Sequence, residues 1–190
     1  MNDLSLYILD PAMNSVRAGA MHIDIGSTET KDAYTLTVKD DGVGMTEEEV
    51  RRATDPFFTT RTTRDVGLGL PFLASLAKET GGSLDITSTP IGTDAPHGTV
   101  VRAAIGKKSI DCPPLGDTVA TVITLIEGSP EREFTFTHKT EKGTVHLSTE
   151  ETRAALDEIP LTAPEVLRFL EQQLYRDYRG LKGSSFGQYE

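Results

Sequence analysis

Leu9-Asp10-Pro11-Ala12-Met13-Asn14-Ser15-Val16-Arg17-Ala18-Gly19 is the stretch on which the reading of this chain turns. Leu4, Leu6, Ile8 and Leu9 lead into it with an apolar side, which Ala12, Met13 and Val16 continue. That periodicity predicts a helix over 3–17. Pro11 lies inside it, removes one backbone donor and is expected to kink or restart the helix there. Asp10, Asn14 and Arg17 are spaced by one helical turn each, so all three project from one face. The helix therefore carries an apolar side and a side bearing a carboxylate, a carboxamide and a guanidinium.

Three further stretches follow in order. Asp40-Asp41-Gly42-Val43-Gly44-Met45 ends a strand of alternating polarity at 33–40. Its glycines allow positive φ and close approach of backbone. A strand at 20–27 precedes it, with Lys31-Asp32 in the turn. Thr46 and Glu49 form a capping box that opens a short helix to about Ala53. Asp55-Pro56-Phe57-Phe58-Thr59-Thr60-Arg61 begins an aperiodic segment, read as a mobile loop over 54–66. Val66-Gly67-Leu68-Gly69-Leu70 leads into an amphipathic helix over 68–80, closed by Gly81-Gly82. Strands at 83–88 and 98–105 complete this part, the latter opened by Gly98-Thr99-Val100. The expected fold is α/β, an α+β two-layer sandwich: a mixed, mostly antiparallel sheet covered on one face by helices.

The pattern changes after residue 106. Cys112-Pro113-Pro114 reads as a linker. A helix at about 117–126 and strands at 133–139 and 143–148 follow, the strands joined by a Glu141-Lys142-Gly143 turn. Ser148 with Glu151, and Thr162 with Glu165, read as capping boxes for two helices, the second with Pro164 in its first turn. Val166, Leu167, Leu170, Leu174 and Tyr178 share one face of the last helix. The expected organisation is thus a domain over 1–106, a helix-hairpin-helix-helix extension over 107–180 and a flexible tail over 181–190.

Taken together and in this order, the four stretches resemble the N, G1, F, G2 and G3 boxes of the GHKL (Bergerat-fold) ATPases, over roughly Leu4 to Ile105. The wording of the third stretch is most similar to the histidine-kinase-type ATP-binding domain. The resemblance implies ATP and Mg2+ as cofactors. It assigns Asn14 to Mg2+, as one oxygen ligand of an octahedral ion otherwise filled by phosphates and water. It points Arg17 at a phosphate and gives Asp40 the adenine amino group, with Gly42, Gly44, Met45 and Thr99 in the same pocket. Val66, Gly67, Leu68, Gly69 and Leu70 would wrap the phosphates at a helix start, where free amides and the helix dipole favour anions. Thr60, Arg61 and Arg64 would belong to a lid ordered by phosphate contact. Asp10 occupies the position of the residue that polarises water in ATP-hydrolysing members. Ordinary histidine kinases usually carry Asn there, so the chain departs from that branch at this point.

Composition limits the remaining classes. The chain has 190 residues, 37% hydrophobic and 25% charged, with a net charge of −10. No Lys/Arg stripe is apparent, so nucleic acid is not an expected partner. No apolar run approaches the roughly 18 residues that span a bilayer, and no signal segment is visible, which fits the cytoplasm. Cys112 is the sole cysteine, so no internal disulfide forms. His22, His97, His138 and His146 lie in expected strands or loops, outside the helical setting of a phosphoacceptor. The expected activity is therefore phosphoryl transfer to a partner protein in trans. An ATP-hydrolysing switch with Asp10 as base, and a nucleotide sensor without chemistry, stand as alternatives.

Overall fold

The computed structural model describes residues 3–55 and 69–181. The lid residues Thr60, Arg61 and Arg64, the residues Val66, Gly67 and Leu68, and the tail beyond 181 lie outside the described residues.

Helix α1 (Leu4–Arg17) is capped by Asp3, whose side chain accepts from the Leu6 amide. It runs unbroken through Pro11, so the expected restart does not occur. Leu4, Ile8 and Ala12, on both sides of Pro11, are fully or almost fully buried. Their packing on the sheet keeps the two halves in line against the cost of a proline, about 3 kcal/mol. Strands β1 (His22–Glu29) and β2 (Ala33–Asp40) follow as a hairpin. Thr46 and Glu49 form the expected reciprocal cap on α2 (Glu47–Arg52). Helix α3 (Gly69–Glu79) is followed by Gly81 at φ +75°, the left-handed conformation that glycine supplies at helix ends. Strands β3 (Ser83–Thr89) and β4 (Gly98–Gly106) close the first half.

The second half contains α4 (Thr118–Gly128), β5 (Glu133–Thr140), β6 (Gly143–Ser148), α5 (Thr149–Leu156) and α6 (Pro164–Gly180). Ser148 caps α5 by accepting from the Glu151 amide. The second expected capping box is absent: Ala163 is the N-cap of α6 and no side chain caps it. With Pro164 at the first turn, one of the amides that Thr162 would have served does not exist.

The six strands form a single sheet in the order β3-β4-β2-β1-β5-β6. Every pairing is antiparallel except β1 with β5, which run parallel with Ile23 opposite Phe134 and Ile25 opposite Phe136. The extension thus continues the sheet begun by residues 22–40. Its connection is also fixed: the Leu4 and Ser5 amides donate to the carbonyls of Pro114 and Leu115, at 2.9 Å each. Helices cover one face. α3 packs on β3 and β4, α1 on β1 and β2, α4 beside α1, and α6 beside α4 and on β6. Alternate strand residues face this layer, buried in Ile23, Ile25, Leu36, Val38, Ala103, Ile105, Phe134, Phe136, Val145 and Leu147 and partly buried in Leu84 and Ile86 of β3. The opposite face is lined by Thr35, Thr37, Thr87, Thr135 and Thr137 and is more open to solvent. The mixed two-layer architecture matches the expectation.

Candidate functional site

The polar face of α1 and the first G-rich stretch meet at the Asp40 end of β2. Asp40 Oδ1 accepts from the Gly42 amide at 2.9 Å and the Thr99 amide at 3.2 Å, and Oδ2 accepts from Ser15 Oγ at 2.6 Å. The register explains the second contact, because Asp40 and Thr99 are opposite one another in β2 and β4. Ser15 brings the third from α1. Three donors, two of them from distant parts of the sequence, therefore hold one carboxylate in a single orientation.

Glycine is required around it. A Cβ on Gly42 would lie 2.9 Å from the Ala18 side chain. Gly44 has φ +68°, and a Cβ there would overlap the Thr89 carbonyl. Gly98, at φ +134°, passes equally close to the Asp40 carbonyl. The loop between β2 and α2 is further tied by Val43 N to Ala18 O (3.0 Å) and Ile91 N to Val43 O (2.8 Å). Ser88 Oγ accepts from the Met45 amide at 2.8 Å and lies 2.8 Å from Thr99 Oγ1, while His97 Nδ1 lies 2.7 Å from Gly42 O. Sequence alone does not mark Ser15, Ser88 and His97 as site residues. Ser15 follows Asn14 directly, and Ser88 faces Thr99 across the β3–β4 register.

Asn14 and Arg17 sit together, with Arg17 Nη1 donating to Asn14 Oδ1 at 3.0 Å. Asn14 is half-buried and Arg17 is exposed. Asp10, one turn earlier, lies against the start of α3: a Cβ on Gly69 would come within 2.4–2.7 Å of the Asp10 side chain. A carboxylate from α1 thus stands at the N-terminal turn of α3, where the helix dipole favours negative charge. Leu70 follows Gly69, half-buried. The structure therefore brings Asp40, Gly42, Gly44, Met45 and Thr99 into one cluster, and Asn14 and Arg17 into a contact pair. Asp10, Gly69 and Leu70 come together at the adjoining mouth of α3. Beside the cluster, Asp41 accepts from the Met21 and His22 amides and meets His22 Nδ1 at 2.7 Å. That bond raises the His22 pKa above its ordinary value, with burial opposing it.

Comparison with protein families matches residues 4–109 to the family described as "Histidine kinase-, DNA gyrase B-, and HSP90-like ATPase". The chain belongs to this family. Its domain is an ATP-binding one. Among curated proteins, the chain is similar to the C4-dicarboxylate transport sensor protein DctB of Pseudomonas aeruginosa. They are 36% identical over 77 residues, which is 40% of this chain and 12% of that protein. It is also similar to the sensor histidine kinase CpxA of Escherichia coli K12, 31% identical over 96 residues, which is 48% of this chain and 21% of that one. The chain therefore spans about an eighth to a fifth of the length of these relatives. Among solved structures, the Aquifex aeolicus MutL ATPase domain complexed with ADP superposes with a TM-score of 0.56 at 13% identity. That match covers 93% of this chain and 70% of the other. The N-terminal domain of a DNA repair protein gives 0.58 at 17% identity, covering 78% and 53%. These two likenesses show the fold, and both extend past residue 106.

Among the described residues, no group of three or more His, Cys, Asp or Glu could hold a metal ion, and no helix is long and apolar enough to cross a membrane.

Proposed function

We propose that the family's nucleotide sits against Asp40 and the glycines around it. The triphosphate would run along Asn14 and Arg17 toward the first turn of α3, and the γ-phosphoryl would pass to a residue on a partner protein. The observation that carries this reading is the fixing of Asp40 by three donors. A carboxylate held this way presents one oriented acceptor to an adenine amino group, and the glycines let a flat base approach the backbone. Met45 and Thr99 border the same space. Mg2+ fits with one condition: the Asn14 oxygen now accepts from Arg17, so a magnesium ion would displace that guanidinium toward the phosphates it would neutralise. When bound, ATP supplies the phosphoryl group, and this chain positions it and neutralises charge. Thr60, Arg61, Arg64, Val66, Gly67 and Leu68 complete the expected set as lid and phosphate wrap. The sensor-kinase relatives favour transfer in trans. Residues 1–106 would hold the nucleotide, and 107–180 would couple it to the partner.

A second reading is an ATP-hydrolysing switch with Asp10 as base. The position of Asp10 at the mouth of α3, beside the expected phosphate path, favours it. Phosphate release from Mg-ATP, measured for the wild type and Asp10→Asn, separates the two. Release abolished by the substitution would establish the switch. No release, with ATP binding shown in the same sample and radiolabel passing to a partner protein, would establish the transferase. Binding with neither would leave a sensor without chemistry and refute both.

A further inference from the structure

A groove of about 350 Å3 lies far from the nucleotide cluster, between α5 and α6 over the end of β6. Leu147 is in its floor, Ala155 and Leu156 form one wall, and Phe169 and Leu170 the other. Phe169 keeps 56% of its surface exposed at the rim, although its neighbour Leu170 is buried. The polar groups of the floor are already engaged. Ser148 Oγ accepts from the Glu151 amide, Thr152 Oγ1 donates to Ser148 O at 2.7 Å, and His146 Nδ1 pairs with Thr137 Oγ1 at 3.0 Å. A small polar ligand would find few oriented donors or acceptors here. Each wall instead offers residues at helical spacing, 151, 152, 155 and 156 on α5 and 165, 166, 169 and 170 on α6. Two such ridges leave a furrow that suits a third helix.

Charge selects the occupant. Glu151 and Glu165 line the two walls; in sequence Glu150, Asp157 and Glu158 flank the first wall, and Arg168 adjoins Phe169 on the second. Arg153, the cation on α5, is already held by Glu133 and by the carbonyls of Pro130 and Arg132. A second copy of this chain, itself at −10, would bring like charge to an acidic rim. We propose that this groove docks a basic amphipathic helix of a partner protein, with apolar side chains on Leu147, Leu156 and Phe169 and Lys or Arg against Glu151 and Glu165. The surface is independent of the nucleotide reading, since none of its residues belongs to that cluster.

The test is fluorescence anisotropy of the full chain with a labelled helical peptide of leucine and lysine, patterned at helical period. A scrambled peptide of the same composition and a leucine/glutamate peptide serve as controls. The patterned basic peptide is expected to bind in preference to both. Phe169→Asp, and separately the exposed pair Glu151→Lys with Glu165→Lys, should each weaken it by about tenfold or more, with ATP binding retained. If Phe169→Asp fails to fold, the charge-reversal pair alone decides. Equal binding of the scrambled peptide, no binding, or binding indifferent to these substitutions would overturn the proposal. So would a concentration-dependent dimer that the substitutions dissociate, which would give the groove to a second copy.

Discussion

The amide donors of Gly42 and Thr99 and the hydroxyl of Ser15 all aim at charge on Asp40. Asp40→Asn keeps the volume, removes that charge and turns a donor toward one of those donors. Hydrogen bonds to charged groups contribute about 1.5–3 kcal/mol. ATP affinity by calorimetry should therefore fall roughly ten- to a hundredfold, with the circular dichroism spectrum unchanged. Gly44→Ala acts on stability instead. Its φ of +68° and the overlap of a Cβ with the Thr89 carbonyl require both backbone strain and a shift of β3. A loss of about 1–3 kcal/mol is expected from urea melts; an unchanged midpoint would contradict the geometry. The pairing of Asn14 with Arg17 was legible because helix spacing alone puts them together. Ser15, Ser88 and His97 were not, because their partners Asp40, Thr99 and Gly42 lie on other elements and no local pattern announces them.

Elements are legible in the sequence wherever a local rule applies. Alternation gave the strands, although β1 begins and ends later than expected, and the Thr46–Glu49 box starts α2 as anticipated. Thr162 misled because the same four-residue pattern carried a proline in the position that decides whether a cap is needed. The pairing of β1 with β5 was beyond sequence reading. Both strands alternate normally, and nothing in either says that they lie side by side or in parallel. This pairing bears on the expected boundary at residue 106. A fragment of residues 1–106 would leave the inner edge of β1 without Phe134 and Phe136 and strip α4 from α1. Unpaired edges of this kind recruit other chains. The fragment is expected to elute as aggregate or to give poorly dispersed amide NMR signals; a monomeric, well-dispersed fragment that binds ATP would show that the first half folds alone.

At the scale of the molecule, acid should loosen the sheet end that lies away from the nucleotide. His138 on β5 is fully buried, with Nδ1 3.1 Å from Tyr178 Oη on α6 and the two rings edge to face. Burial lowers its pKa from 6.5 to about 4, with Glu29 opposing the shift. The folded value is the depressed one, so between pH 6.5 and about 4 the unfolded chain takes up a proton that the folded chain refuses. Stability falls as pH falls through that window, by about 3 kcal/mol at 1.36 kcal/mol per unit. Urea midpoints at pH 7 and pH 4.5 should differ more for the wild type than for His138→Phe, and parallel losses would exclude this histidine as the cause. The helices α3, α1, α4 and α6 stand side by side across one face, so the groove on α6 and the cluster on α1 are joined through α4. The parallel pairing of β1 with β5 has one more consequence, during synthesis. The ribosome releases β1, β2 and α1 long before β5 is translated, and at about 5–20 residues per second the gap lasts roughly 5–20 s. Through that interval the nascent sheet carries an open flank at its eventual centre, so the growing chain depends on whatever shields that flank until Phe134 and Phe136 emerge.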